Sequence, residues 1–259
     1  MSNPVLASLR RSLAQTYHAM LNAREGFRLL DITIWPLVLF LSMTLFAGAF
    51  TKDPKVNGVI VLGALGWRVL YHFQIEPVQV YMDNYWAGTI EHVMMSPLRW
   101  FELVIGGALS ALCKMLIIAT LFLGLGHLLF HFNVASWGST ILALLAIAAC
   151  GMILSIFSMG VAFLKRGDAF AFIFAFPDAV AVLSGVFYPT AVFPEPFRTL
   201  AQLLPTTHAF NMLKQTIGMA VPSVGLFFAT AALWLVAAFV FLQWALRKAR
   251  REGRLVKLK

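Results

Sequence analysis

The sequence is poor in charge and in cysteine. Charged residues make up only 12% of its 259 residues, whereas 60% are hydrophobic. No soluble domain has this composition, and successive apolar runs separated by short polar breaks leave no room for a large globular domain. Cys113 and Cys150, the two cysteines, both fall inside apolar runs, so a disulfide framework is excluded as the basis of the fold. A polytopic membrane protein is indicated.

Several catalytic motifs are also missing. No G-x-x-x-x-G-K-[ST] loop occurs, so the polypeptide cannot cradle the phosphates of ATP by itself. The absence of a G-x-S-x-G elbow, of H-E-x-x-H and of clustered carboxylates weakens an enzyme hypothesis. His127 and His131 have the i, i+4 spacing of a metal-ligand pair, but no nearby carboxylate or cysteine adds a third ligand. No metal site is predicted.

Six apolar runs have the length and hydropathy of membrane-spanning helices. They run from Ile32 to Phe50, Val56 to Ile75, Phe101 to Leu123, Trp137 to Leu164, Ala169 to Tyr188 and Leu226 to Leu246. The sequence therefore predicts an all-α membrane protein with a single transmembrane domain over residues 1–259, in which a six-span bundle occupies residues 32–246.

The segment before the first span, residues 1–31, is predicted to be an interfacial helix. Leu6, Leu9, Leu13, Tyr17 and Met20 recur at helical spacing, with arginines between and beyond them. This pattern favours an amphipathic helix lying on the cytoplasmic membrane surface. A helix packed on a partner protein is the alternative.

The net charge of +9 is concentrated at the C-terminal end, residues 247–259, which carry seven Lys and Arg. No aromatic-interleaved basic groove accompanies them, so contact with the membrane surface is favoured over binding of nucleic acid. With both termini in the cytoplasm, the inner segments carry 14 Lys and Arg and the outer segments four. The positive-inside rule therefore places both termini in the cytoplasm.

An apolar stretch broken by prolines lies between the last two spans. This proline-rich segment, Ser184 to Lys214, contains four prolines, and Pro196 and Pro205 bracket a short run with helical spacing. Thr206 and Thr207 are candidate caps for the helix that follows. Broken backbone at membrane depth survives only when it is buried in protein or faces a water-filled cavity. We therefore expect a re-entrant or interfacial hairpin that does not cross the membrane.

A second break, the short loop from Gly88 to Leu98, follows the second span. Gly88 and the Ser96-Pro97 pair bracket a run in which Ile90, Val93 and Met94 share one helical face. Such a helix is too short and too polar to span a membrane. It suits docking into a groove on a cytoplasmic partner.

The chain resembles the membrane subunits of type-two ATP-binding-cassette (ABC) exporters, a class that includes nodulation-factor, drug and polysaccharide permeases. The resemblance is carried by a Gly-Thr-x-Glu…Ser-Pro-Leu pattern in the short loop and by Ser-Gly-Val-Phe-Tyr-Pro…Leu-Pro-Thr-Thr-His in the proline-rich segment. It extends to the chain length, the six spans and the amphipathic N-terminus. Where such permeases commonly carry an arginine, this chain has Lys214.

The resemblance implies that the short loop is a coupling helix contacting an ATPase subunit. Its coupling residues would be Gly88, Thr89, Glu91, His92, Ser96, Pro97 and Arg99. Within the proline-rich segment, Pro189 to Pro205 would form the outer re-entrant helices that gate the exit. The gate residues would be Phe187, Tyr188, Pro189, Phe193, Pro194, Pro196 and Pro205.

The resemblance also implies partners, location and substrate. Two copies of the chain would work with two cytoplasmic ABC ATPase subunits, surrounded by lipid in a bacterial cytoplasmic (inner) membrane. ATP and Mg would be bound by the ATPase, and this chain would bind no cofactor. The substrate would be an amphiphilic molecule exported from the cytoplasm, either a glycolipid or lipid-linked saccharide, or a drug or lipid.

Three ionisable residues fall deepest within predicted spans: Arg68, Lys114 and Asp178. Charge is costly there and often marks a transport pathway. Structural pairing or snorkelling explains these residues equally well, and Asp178, next to Pro177, could instead bond backbone that the proline frees. Two other classes of function remain: an integral membrane enzyme acting on a lipid-linked substrate, and a passive channel. The candidate residues of the enzyme, near the inner rim, are Glu76, Asp83, Glu91 and His92.

Overall fold

The computed structural model describes residues 4–23, 27–50, 54–89, 92, 95, 100–134 and 136–252. This part of the chain contains helices, turns and loops and no strand, which confirms the predicted all-α class for the described residues. The α-helices are α1 (Pro4–Ala23), α2 (Phe27–Phe50), α3 (Pro54–Trp86), α4 (Trp100–Phe130), α5 (Trp137–Lys165), α6 (Phe170–Leu183), α7 (Phe197–Leu203), α8 (Pro205–Gln215) and α9 (Val224–Arg251). Among the described residues, 3-10 helices cover Arg166–Ala169 and Thr190–Val192.

Four helical stretches in the described part are long and apolar enough to cross a membrane. They are Lys55–Trp86, Glu102–Leu129, Trp137–Lys165 and Val224–Arg251. The apolar stretches Thr33–Phe46 and Phe170–Leu183 are shorter. The chain is a multi-pass membrane protein.

The fifth predicted span, Ala169 to Tyr188, is too long at its C-terminal end. Helix α6 has 14 residues, so it is ~21 Å long at 1.5 Å per residue. That falls short of the ~30 Å hydrocarbon core of a bilayer. The helix ends at Leu183 because a turn follows it, in which Gly185 has a φ of +65° that residues with a side chain rarely adopt.

The second predicted span is too short, because α3 continues beyond Ile75 to Trp86. Polar residues on both sides of Ile75 lower the hydropathy, but they find partners inside the bundle. Gln74 donates a 2.7 Å hydrogen bond to Ser158 of α5, and Glu76 is bonded to Lys114 of α4. The third span is also longer than predicted, since α4 runs from Trp100 to Phe130. Hydropathy underestimates the length of a helix whose polar residues are paired with residues of neighbouring helices.

Helix α3 is the centre of the bundle and packs most extensively on α4 and α5. Glycines allow backbones to approach closely at these contacts. A Cβ at Gly107 of α4 would lie 2.5 Å from the Cα of Pro77, and one at Gly151 of α5 would lie 2.8 Å from the carbonyl oxygen of Leu70. Helix α9 lies at the periphery, since only 11% of its most apolar stretch is buried inside the protein.

Helix α1 is amphipathic, as predicted, and its polar face packs against α4 of the same chain. Ser12 and Thr16 are buried, and the Thr16 hydroxyl donates a 3.1 Å hydrogen bond to the carbonyl oxygen of Gly106. The apolar stripe of Leu9, Leu13 and Tyr17 faces outward, with each side chain at least half exposed. An outward apolar stripe is the arrangement expected of a helix that lies on a membrane surface.

Candidate functional site

The proline-rich segment folds back on the bundle. After α6 it makes a turn at Gly185, a 3-10 helix (Thr190–Val192), the short helix α7 and then α8. Helix α7 begins just after Pro196 and ends before Pro205, as the sequence predicts. Since α7 has seven residues, it is ~10 Å long. The segment therefore contains no span-length helix.

Side-chain donors bond the last backbone carbonyls of α7, where the helix is broken. In α8, the Thr207 hydroxyl donates to the carbonyl of Ala201 (2.6 Å), and His208 Nε2 donates to that of Gln202 (2.9 Å). The indole N–H of Trp234, in α9, donates to the carbonyl of Leu203 (2.9 Å). Carbonyls without a helical partner need such donors wherever water is scarce. The irregular backbone is thus stabilised by the helices that follow it.

Lys214 supplies two further hydrogen bonds to this backbone. It is 8% exposed, and its ammonium donates to the carbonyl of Tyr188 (2.8 Å) and to that of Gly185. Helix α8 is not a spanning helix, and burial there lowers the pKa of Lys214 to about 8. One ammonium therefore fastens the turn after α6 to α8.

The predicted threonine cap of α8 is wrong. The helix begins at Pro205 with Leu204 as its N-cap residue, and Leu204 makes no side-chain capping bond. Thr206 and Thr207 lie inside the helix because it begins one residue earlier, at Pro205. The fixed φ of proline suits the first position of a helix. Their hydroxyls serve other bonds instead: Thr206 bonds the Ser184 hydroxyl, and Thr207 bonds the Ala201 carbonyl.

The predicted gate residues lie together in this region. The Phe187 ring packs against Gly63 of α3, where a Cβ would come within 2.9 Å of the ring. Tyr188 and Phe193 form an edge-to-face pair with ring centroids 5.5 Å apart, and the Tyr188 hydroxyl donates to the carbonyl of Val182 (2.7 Å). Four prolines lie at the breaks between the short helices: Pro189, Pro194, Pro196 and Pro205. Their role as a gate stays a prediction.

Of the three predicted pathway residues, Lys114 lies in a buried ion pair. Its Nζ is 2.5 Å from Glu76 Oε1, and the Ser110 hydroxyl donates to Glu76 Oε2 (3.1 Å). On α3, His72 Nδ1 lies 3.6 Å from Glu76 Oε1. This geometry corresponds to the structural-pairing alternative for Lys114.

Arg68 extends the same row of buried polar residues by one further helical turn. Its Nη2 lies 3.2 Å from His72 Nε2, and its guanidinium lies 4.9 Å from the centroid of the Tyr71 ring. Arg68, His72 and Glu76 recur every four residues along α3 and so share one face. The structure brings Arg68 and Lys114 into one polar row, a link that spacing within each span did not indicate.

Asp178 lies apart from that row, on the wall of a cavity of about 220 Å³. The indole N–H of Trp67 donates to Asp178 Oδ1 at 3.0 Å. The lining includes Met43, Trp67, Asp178, Val186, Phe187 and Tyr188. The cavity thus joins one predicted pathway residue to two predicted gate residues. Trp67 was not among the predicted site residues.

At the other end of the bundle, Gly88 terminates α3 with a φ of +70°. The Thr89 N–H donates to the carbonyl of Asn84 at 3.0 Å, an arrangement typical of a helix that stops at a left-handed glycine. His92 is helical and exposed. The other predicted coupling residues, Glu91, Ser96, Pro97 and Arg99, lie outside the described residues. The predicted break at Gly88 is confirmed.

The short loop leads into α4, whose first turn carries a buried carboxylate that the sequence reading missed. Glu102 is 0% exposed and accepts two hydrogen bonds from Arg11 of α1, from Nε at 2.9 Å and from Nη2 at 2.6 Å. This carboxylate raises the pKa of Arg11 further above its usual value. The bidentate pair anchors α1 beside the exit of the short loop.

The enzyme candidates do not form one constellation among the described residues. Glu76 is bonded to Lys114, whereas Asp83 accepts a 2.8 Å hydrogen bond from Gln79 and lines a separate cavity of about 370 Å³ between α1 and α3. In the part of the chain that the structure describes, no three His, Cys, Asp or Glu residues come together as metal ligands.

A comparison with known protein families complements this geometry. A family model described as "ABC-2 type transporter" matches residues 32–218, which is most of the chain and includes both the short loop and the proline-rich segment. No curated protein matches the chain.

Proposed function

The chain belongs to the ABC-2 type transporter family, and on that premise we propose that it is the membrane subunit of an ATP-driven exporter of an amphiphilic molecule. A separate ABC ATPase hydrolyses ATP. Two copies of the chain and two ATPase subunits form the working unit, in a bacterial cytoplasmic membrane with both termini inside. The substrate is a glycolipid or lipid-linked saccharide, or a drug or lipid.

The observation that carries this proposal is the folded-back proline-rich segment. Its broken backbone is stabilised by Lys214, Thr207, His208 and Trp234. In lipid, such backbone is tolerated only where protein or a water-filled cavity surrounds it. A sheltered, non-helical stretch beside an aromatic-lined cavity fits the exit of a transport path.

Coupling to the ATPase would begin at the short loop, Gly88 to Leu98. This loop connects α3 and α4 directly, and α1 is attached to α4 through Arg11 and Glu102. A push on the loop would therefore reach α3, which contacts α4, α5 and the proline-rich segment. Rigid helices with close glycine contacts transmit such movement because the interior is close-packed.

Reconstitution with an ABC ATPase subunit from the same organism tests this function. We expect ATP-dependent export from proteoliposomes and an ATPase rate that depends on the permease. Glu91→Ala, in the short loop, should lower coupled ATP turnover by about tenfold, equivalent to ~1.4 kcal/mol in the barrier. Asp168→Ala, which removes an exposed carboxylate from the 3-10 helix after α5, is the matched control and should leave turnover unchanged. Failure of the permease to associate with any such ATPase contradicts the proposal.

The enzyme alternative makes a different prediction for the same variant. If the chain catalysed a reaction on a lipid-linked substrate, Glu91→Ala would abolish that reaction and leave association with an ATPase intact. The separation of Glu76 from Asp83 and their distinct partners give this alternative little structural support.

Arg11 and Glu102 are expected to keep α1 attached to α4 while the short loop transmits movement from the ATPase. In Arg11→Gln, Glu102 loses its bidentate guanidinium, and a buried carboxylate tolerates that loss poorly. We expect chymotrypsin, whose sites in α1 the variant leaves unchanged, to cleave within α1 several-fold faster, and coupled ATP turnover to fall. Arg11→Gln with Glu102→Gln should recover part of both properties because no charge then remains to be compensated. Equal cleavage of Arg11→Gln and the unmodified protein would show that the pair does not hold α1.

A further inference from the structure

The cavity beside Asp178 combines an apolar wall with one oriented carboxylate. Trp67, Phe187 and Tyr188 supply aromatic rings, while Met43 and Val186 supply aliphatic surface. Its volume, about 220 Å³, is smaller than the ~300–1,000 Å³ typical of sites that enclose a drug-sized ligand. It therefore suits one head group or one ring of a larger amphiphile whose remainder lies outside.

The Asp178 carboxylate has unused capacity toward a ligand. The Trp67 indole occupies Oδ1, and Oδ2 accepts no hydrogen bond from the described residues. A carboxylate can accept about four hydrogen bonds, so a ligand finds an acceptor already fixed in direction. The same hydrogen bond holds the side chain on the wall of the cavity.

Arg68, next to Trp67 in the sequence, affects the charge of this site. Its guanidinium lies over the Tyr71 ring and beside His72 on its own helix, and its positive charge attracts the Asp178 carboxylate. A ligand cation in the cavity would act in the same direction, because a positive charge close to a carboxylate favours its ionised form. Asp178 can therefore serve as the counter-ion of a bound cation.

The polar atoms that line the cavity distinguish the two substrate classes proposed above, a glycolipid or lipid-linked saccharide and a drug or lipid. A saccharide carries many hydroxyl groups, and each one buried without a hydrogen-bond partner costs free energy. Among the lining side chains the polar atoms are the Asp178 carboxylate, the Trp67 N–H and the Tyr188 hydroxyl. The last two already donate, to Asp178 and to the Val182 carbonyl. An organic cation needs only one negative charge and aromatic faces, which this cavity offers.

We propose that this cavity binds the cationic head of a hydrophobic amine or quaternary ammonium compound, with Asp178 as counter-ion and Trp67, Phe187 and Tyr188 as its aromatic walls. The inference rests on the proposed export function and narrows its substrate class. Trp67 is a positioning residue here, because it orients the Asp178 carboxylate. Phe187 and Tyr188 connect the site to the turn that Lys214 holds.

Binding to the full-length chain in lipid nanodiscs tests the proposal without any ATPase. The probe is benzyltrimethylammonium, and its uncharged carbon isostere, neopentylbenzene, is the comparison compound. Saturation-transfer NMR should show that the cation binds at least about tenfold more tightly than the isostere, as expected when charge and aromatic faces act together. Equal binding of the two compounds overturns the proposal and identifies the cavity as a site for lipid chains.

Two variants locate the binding. Asp178→Asn should weaken cation binding about tenfold and leave the isostere unaffected. Trp67→Phe keeps a ring but removes the N–H tether, so it should weaken cation binding less. Asp168→Asn, which removes an exposed carboxylate from the 3-10 helix after α5, is the matched control and should bind normally. If Asp178→Asn misfolds, the preference of the unmodified chain for the cation still decides the question. Since no step needs ATP, failure here is distinct from failure of export.

Discussion

Replacement of Lys114 by methionine should lower the thermal stability of the protein more than any other single change to a spanning helix discussed above. Glu76 and Lys114 are both nearly buried and lie 2.5 Å apart. Removing one partner of a buried ion pair typically costs about 3–5 kcal/mol, because the remaining charge is left in a low dielectric. We expect the melting temperature in a single detergent to fall by about 10 °C, given ~2–4 °C per kcal/mol for a protein of this size.

The double variant Glu76→Gln with Lys114→Met is the control for that measurement. It removes both charges and keeps an acceptor for the Ser110 hydroxyl, which now bonds Glu76 Oε2. Replacing a whole buried pair is often nearly neutral, so most of the lost stability should return. If Lys114→Met melts normally but no longer exports, the residue acts in the transport path, and the structural interpretation of the pair is wrong.

Replacement of Lys214 by methionine should uncouple export from ATP hydrolysis. The ammonium bonds the carbonyls of Gly185 and Tyr188, and a buried acceptor left without its partner costs about 1–3 kcal/mol. The turn after α6 would lose its fastening to α8, while the short loop at the opposite end of the bundle stays intact. We expect export to fall about tenfold, equivalent to ~1.4 kcal/mol, with binding of the ATPase retained.

Two further variants separate the role of Lys214 from a simple loss of charge. Lys214→Arg keeps a group able to donate to two carbonyls and should retain a large part of the export rate, since arginine presents several donors. Arg198→Met removes an exposed positive charge from α7 in the same segment and should have no effect. Normal export by Lys214→Met would show that the fastening is dispensable.

The sequence predicted the helical class and the main breaks because prolines and glycines act locally. Pro196 and Pro205 bracket α7, and Gly88 ends α3. These residues restrict the backbone at their own positions, so no knowledge of distant contacts is needed. The resemblance to type-two ABC exporters is likewise confirmed at the level of the family.

The pairing of polar side chains could not be predicted from the sequence, because the two partners of each pair lie far apart along the chain. Arg11 and Glu102 are 91 residues apart, and Trp67 and Asp178 are 111 apart. Hydropathy measures how costly it is to bury a side chain, and it contains nothing about the neighbour that compensates it. For that reason Glu76 was expected near the inner rim and Lys114 within a span, as separate residues, and α3 was predicted to end too early.

The donors that stabilise the proline-rich segment bear on how the protein is made. Thr207, His208 and Lys214 follow the backbone they bond, and Trp234 belongs to α9. During synthesis, residues 184–204 leave the ribosome before any of these donors is available. The segment can acquire its final shape only after α9 has inserted, so a chain truncated before residue 234 would carry this stretch in an unfinished form that invites misassembly or degradation.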